Sequence, residues 1–171
     1  LELAKQQSAD AAAERLASIE AEQYNPGFFL FGDLDFLYFA ALDAQRSAHP
    51  IIRRVSTPNR WVVLENQDLE VPSPKIERVR YLVEQREPLS DINGLAPVLC
   101  DHAVPIAARS GTRPPPLLAV CVHTEPFGTR SASLVSIQAG QPILFQASNG
   151  PSCRSNFCDY SHLFVSSPAH M

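Results

Sequence analysis

The sequence predicts an α+β fold, with antiparallel strand pairs and helices collected over a sheet. Three observations predict it. Apolar residues in the stretch 9–19 recur at helical spacing. Short aromatic or β-branched runs, at 28–41 and again at 117–148, are punctuated by turn residues. A second helical stripe, near residues 76–83, lies between the two strand groups. Strands on both sides of a helical middle also allow two stacked sheets between helical layers.

Taken in order, Ser8 reads as an N-cap for the segment ADAAAERLASIEAEQ, in which Ala9, Ala12, Leu16 and Ile19 share one face. Tyr24-Asn25-Pro26-Gly27 stops that helix. FFLF (28–31) and FLYFAA (36–41) read as two strands joined by the tight turn GDLD, and their near-continuous apolarity implies a sheet covered on both faces. Residues 43–59, with His49-Pro50 and Thr57-Pro58-Asn59, read mostly as loop, and WVVLE (61–65) as a further strand. A helix opens at or just before Lys75, with Ile76, Val79, Leu82 and Val83 as its apolar stripe. Residues 90–101 form a weaker helical stretch, interrupted by Gly94 and Pro97, and 103–116 read as loop. Strands follow at 117–124, 130–137 and 142–148, with Gly140-Gln141 turning between the last two. The tail, 149–171, reads as irregular, with room for one strand near 161–165.

Bulk properties bound the function. A chain of 171 residues, 45% hydrophobic and 19% charged, fits a single globular domain over 1–171 with a real core. A net charge of −4 gives no electrostatic footprint for nucleic acid. The longest apolar run, 28–42, is cut by Gly32, Asp33 and Asp35, and no run reaches the ~20 apolar residues of a transmembrane helix. The opening LELAKQQ carries neither Met nor a leader pattern, so the chain reads as part of a longer polypeptide or as a processed subunit. Cys100, Cys121, Cys153 and Cys158 are too irregularly spaced for a disulfide framework; free thiols and a reducing, cytoplasmic compartment fit them.

The sequence lacks GxGxxG, P-loop, GxSxG, HExxH and paired CxxC motifs. Two Cys-x-His pairs remain, Cys100-Asp101-His102 and Cys121-Val122-His123. On a strand, Cys121 and His123 would share a face and could converge on a metal, with the 100–102 pair completing four ligands. No Cys-x₂₋₄-Cys knuckle accompanies them, so the reading adopted is no metal, with Cys121 a small core residue and His123 a strand-end polar group. A Cys121–His123 nucleophile pair is disfavoured because same-face neighbours on a strand point in parallel. Arg130, after the Gly-Thr turn, offers a fork for a carboxylate or carbonyl oxygen, or else a surface ion pair. Asn66, after WVVLE, offers an amide donor to a cleft, or else a turn.

Four stretches in order, EQYNPGFFLFGDLDFLYFA (22–40), VVLENQDLEVPSPKIERVR (62–80), LLAVCVHTEPFGTRSASLVSI (117–137) and QPILFQAS (141–148), resemble the NRDE family, also called transport-and-Golgi-organization-protein-2-like. That family is similar to N-terminal-nucleophile (Ntn) hydrolases, so the resemblance implies an αββα sandwich of antiparallel sheets between helices. It also implies an amide (C–N) hydrolase whose nucleophile is an N-terminal Cys. This chain has neither that Cys nor the Asn-Arg-Asp-Glu run, so the resemblance covers the family's C-terminal portion. The nucleophile is then expected in a missing N-terminal portion or companion chain. Glu65, Ser73 and Phe127 depart from the family's usual Ser, Trp and Tyr. Carried over residue by residue, Asn66 and Arg130 take supporting catalytic roles, Asn66 toward an oxyanion and Arg130 toward a carboxylate or thiolate. The alternative the family implies is a non-catalytic haem- or lipid-handling or trafficking protein, with haem as its ligand. A half-sandwich would also expose a sheet face and edge, which favours oligomers.

Overall fold

In a computed structural model, residues 3–55, 61–89, 91–105 and 115–164 are described. They hold both helices and antiparallel sheets, an α+β protein, in two compact units, Leu1–Pro72 and Ser73–Met171. No helix among the described residues is long and apolar enough to cross a membrane.

The first unit is a helix beside a three-stranded sheet. Helix α1, Ala9–Ala17, starts where the sequence places it, with the Ser8 hydroxyl accepting the Ala11 amide at 3.1 Å. It buries Ala9, Ala12 and Leu16. It ends well before residue 23, because the Ser18 hydroxyl turns back to the Arg15 carbonyl at 2.8 Å. A separate 3-10 turn, Ala21–Gln23, follows. Strands β1, Gly27–Gly32, and β2, Leu37–Leu42, pair antiparallel, with Phe29 opposite Ala40 and Phe31 opposite Tyr38.

Their turn is built by Asp33. One of its carboxylate oxygens accepts the amides of Asp35 and Phe36, each at 2.9 Å, and the other accepts the Ala9 amide at 2.8 Å. One side chain thus closes the hairpin and caps α1. Gly32 is required there, since a Cβ would lie 2.5 Å from the Phe36 carbonyl oxygen.

The third strand corrects two expectations. β3, Ile51–Val55, pairs with β2 inside the stretch expected to be loop, and residues 61–65, expected to be a strand, form none. Arg53 and Arg54 made 51–55 look polar, but each arginine has a partner. Arg53 binds Asp68 and Glu70 and lies 5.0 Å from the centre of the Phe39 ring; Arg54 sits 3.7 Å from the centre of the Phe36 ring. Phe39 is fully buried and stacks on Phe28 with centroids 6.0 Å apart. The expected loop residues 56–59 lie outside the described residues.

The second unit opens with α2, Pro74–Glu84. The Ser73 hydroxyl caps it, accepting the Ile76 amide at 3.4 Å, and Pro74 sits in the first turn where a missing N–H costs nothing. Ile76 and Val83 carry its buried stripe. The weaker helical stretch resolves into a 3-10 turn, Ile92–Leu95, and the single-turn α3, Ala96–Leu99.

Residues 117–124 are not the expected strand. A 3-10 turn, Pro115–Leu118, leads into irregular chain. Leu118, Ala119, Cys121 and Val122 are all buried, so alternation is absent, and the backbone groups of Cys121 and Val122 bond to loops rather than to a ladder. The sheet of this unit is β4, Ala132–Ser136, β5, Leu144–Ser148, and β6, Phe157–Asp159, antiparallel in that order. Gly140, at φ +70°, makes the β4–β5 turn that the sequence marks. The tail holds its strand earlier than expected, at β6, and Ser161–Phe164 forms a 3-10 turn. Residue 165 and those after it lie outside the described residues.

Candidate metal centre

The irregular chain of the second unit carries the site, and hydrogen bonds tie the chain around each candidate ligand. Asp101 begins the construction. Its carboxylate takes a two-bond fork from Arg78 of α2, Nε at 3.1 Å and Nη2 at 2.8 Å. That fork pins the end of the α3 loop. The Asp101 carbonyl then accepts the Cys121 amide at 2.9 Å, and the Cys121 carbonyl lies 3.0 Å from Nδ1 of His102. A carbonyl can only accept, so Nδ1 of His102 is the donor in this bond and Nε2 is the nitrogen left to face a ligand.

A tight reverse turn holds the next ligand. The Thr129 amide donates to the Val122 carbonyl at 2.9 Å, the Val122 amide donates to the Thr129 hydroxyl at 2.9 Å, and the Thr124 amide donates to the Phe127 carbonyl at 2.9 Å. His123 pairs with Gly128 in a single antiparallel bridge. A Cβ at Gly128 would approach the Val122 carbonyl oxygen to 3.0 Å, so this close crossing favours glycine.

The last ligand comes from the turn after β5. Ser148 fixes its start, accepting the Ala132 amide at 3.0 Å and donating to the Gly150 carbonyl at 2.9 Å. The amides of Arg154 and Ser155 both donate to the Pro151 carbonyl. Ser152 is buried and donates to the Leu99 carbonyl at 2.6 Å, which anchors the neighbouring Cys153 against the end of α3.

These ties bring His102, Cys121, His123 and Cys153 together, with their ligand atoms all within 4.8 Å of one another. The two sulfurs are 3.7 Å apart; His123 Nε2 is 3.7 Å from Cys121 Sγ and 3.0 Å from Cys153 Sγ. The two imidazoles are tilted neighbours with centroids 5.0 Å apart. A tetrahedral zinc ion with Zn–S near 2.3 Å and Zn–N near 2.0 Å would set sulfurs about 3.8 Å apart and sulfur and nitrogen about 3.5 Å apart. The sulfur pair and the His123–Cys121 pair come close to that spacing, while His123 Nε2 sits about half an ångström nearer Cys153 Sγ than a bound ion would set it.

Its electrostatics also suit a cation. Burial, then the nearby charge of Arg154, holds the His123 pKa below the ordinary histidine value, which favours the neutral ring that a metal needs. Burial, then the hydrogen bond with Cys121, pushes the Cys153 thiol up. A dication between the two sulfurs would reverse that preference, because a coordinated thiol gives up its proton. Two thiolates would neutralise a divalent ion, and Nδ1 of His102 is already held by the carbonyl partner that orients metal-bound histidines.

Of the four residues the sequence offers as a metal set and sets aside, His102, Cys121 and His123 meet, and Cys100 does not join them. Cys100 closes α3, and Cys153 takes the place expected for it. Cys121 and His123 do not point in parallel, because the chain there is a reverse turn rather than a regular strand. Cys121 is buried as expected, but outside any sheet. Cys153 escaped sequence reasoning; its only signal is a cysteine directly after the turn string NGPS in the tail.

Asn66 is exposed and lines an open cavity of about 610 Å³ in the first unit, with Phe28, Arg46, Asp68 and Glu70 also on its wall. The described residues that line it include no Ser, Thr, Cys or Lys. Asp68 is bound there by Arg46 and Arg53; burial works to raise its pKa, but the Arg53 bond and the other donors hold it low overall. Arg130 belongs to the second unit and is exposed, in the link between the reverse turn and β4. In the comparisons with known proteins, no family model, no curated protein and no solved structure matches the chain.

Proposed function

We propose that this protein binds one divalent transition-metal ion, zinc by preference, through His102, Cys121, His123 and Cys153, and that the metal is a structural clip. One observation carries the reading: four ligand atoms from three separate loop segments lie within 4.8 Å of one another. Two sulfurs and two imidazole nitrogens in a compact set favour tetrahedral zinc over magnesium or calcium, which prefer oxygen. Four protein ligands leave no open position for water or substrate, which is the mark of a structural rather than a catalytic zinc. The clip would join the loop after α3, the reverse turn at 121–129 and the turn after β5.

Cobalt substitution tests the reading. The full chain, made metal-free and titrated with Co(II), is expected to bind one equivalent with the strong visible bands of tetrahedral cobalt and a sulfur-to-cobalt charge-transfer band. Cys121→Ser removes one of two thiolates and is expected to halve the charge-transfer intensity and weaken binding by at least tenfold. An octahedral spectrum without sulfur bands, or a Cys121→Ser titration that matches the parent, overturns it.

The amide-hydrolase reading, its αββα Ntn-like architecture, and the haem- or lipid-handling alternative are supported by the sequence resemblance. The placement of Asn66 on a cavity wall agrees with the first of these, in which the nucleophile would come from outside this chain.

A further inference from the structure

We infer that Cys121 and Cys153 are also a redox-modification site: hydrogen peroxide converts them to a disulfide, and the conversion expels the metal. The inference rests on the zinc reading above for its second half only. Its first half stands on the pair itself. All four cysteines are free, and the two sulfurs of this pair lie 3.7 Å apart. A disulfide needs a sulfur separation of about 2.05 Å, so the sulfurs must close by roughly 1.7 Å. Cys153 sits on a turn, outside any strand or helix, where such a shift disrupts no ladder.

The two sulfurs have different access. Cys121 is 1% exposed, whereas Cys153 is only half-buried. Peroxide therefore reaches Cys153 first. Cys153, whose burial favours the thiol, first gives its proton to solvent; its thiolate then attacks one peroxide oxygen, the O–O bond breaks, and Cys153 becomes a sulfenic acid while hydroxide leaves. The Cys121 thiolate then attacks the Cys153 sulfur, the S–O bond breaks, and a second hydroxide leaves as the disulfide forms. Two protons from solvent turn the hydroxides into water. Each sulfur has lost one electron, the peroxide has gained two, and the zinc ion leaves with its oxidation state unchanged. Both sulfur ligands are consumed together, so only His102 and His123 remain to hold the ion. Cys121 serves as the resolving thiol because it is the partner sulfur facing Cys153, while Cys158 is exposed on β6 and Cys100 lies outside the four-ligand cluster.

The experiment uses the zinc-loaded full chain, titrated with hydrogen peroxide. A colorimetric zinc chelator reads the free metal, and peptide mapping without reductant reads the cysteines. The expected result is a cross-link joining the peptides of Cys121 and Cys153, with one zinc released per cross-link. A dithiol reductant with added zinc is expected to restore the starting state. Cys100→Ser and Cys158→Ser keep all four proposed ligands and are expected to cross-link and release zinc as the parent does. If zinc binds but peroxide joins Cys153 to Cys100, or drives Cys153 to sulfinic acid without a cross-link, the redox inference is overturned and the zinc site stands. If the chain takes up no zinc yet forms the Cys121–Cys153 cross-link, the zinc reading fails and the disulfide half is supported.

Discussion

Asp101 serves the proposed metal site twice without being one of its four candidate ligands. Its carboxylate is gripped by Arg78 at 2.8 and 3.1 Å, and its carbonyl takes the Cys121 amide. The neighbouring His102 then meets the Cys121 carbonyl, so the two ligands are registered by a pair of backbone-level bonds. Removing the fork while keeping the backbone isolates the side chain's part. Asp101→Ala is expected to weaken zinc binding by about tenfold, the lower end of what outer partners of metal ligands contribute. Competition against a chelator of known affinity measures it; an unchanged affinity would mean that the backbone alone places His102. The sequence made three of the four ligands visible as Cys-x-His pairs. It misjudged their geometry, because residue i and i+2 converge only where the chain leaves the strand, and that departure is dictated by Thr129 and Gly128 across the turn. Cys153 was invisible because it lies 30 residues from His123 in sequence and is brought in by the Ser152 anchor to Leu99.

At the scale of elements, legibility followed local signals. Helix α1 was readable from its Ser8 cap and apolar stripe, α2 from its stripe alone, and the first hairpin because GDLD is a turn string. β3 was not readable, since its arginines are satisfied by Asp68, Glu70 and two aromatic rings that no local window contains. Nor was the early end of α1, which depends on a hydroxyl turning back on the helix. The Asp33 carboxylate joins two of these elements, and its titration gives a test. Hydrogen bonds from the Ala9, Phe36 and Asp35 amides hold its pKa below 3.8. A folded-state pKa below the unfolded one means that the contribution is present above about pH 4 and is lost as pH falls through the lowered folded value. Asp33→Asn cannot ionise and lacks this component. The parent is therefore expected to be the more stable at pH 7, with the gap narrowing below pH 3.8 and closing in stronger acid. Urea unfolding followed by circular dichroism across that range reads it. A gap that stays constant with pH would show that the charge on Asp33 contributes nothing to α1 or the hairpin.

For the whole molecule, the two compact units differ in what holds them. The first, Leu1–Pro72, has a continuous sheet and a helix packed by Leu16, Phe39 and Leu42. In the second, residues 100–105 and 119–131 are irregular, and hydrogen bonds to Asp101 and Thr129, with the Ser152 bond to Leu99, tie them in place. A metal that binds only the folded form stabilises by mass action, about 4 kcal/mol when free metal is a thousandfold above its dissociation constant. That stabilisation belongs where the ligands are. Chelating the metal is therefore expected to raise amide hydrogen exchange in peptides covering 99–105, 119–129 and 149–156, while β1, β2 and β3 keep their protection. Re-adding zinc should restore the slow exchange, and magnesium should not, since the site offers no oxygen ligand. Equal loss of protection in residues 27–55 would mean that the metal supports the whole chain rather than the irregular segments that supply its ligands. No change anywhere would mean that the hydrogen bonds around Asp101, Thr129 and Ser152 suffice without it.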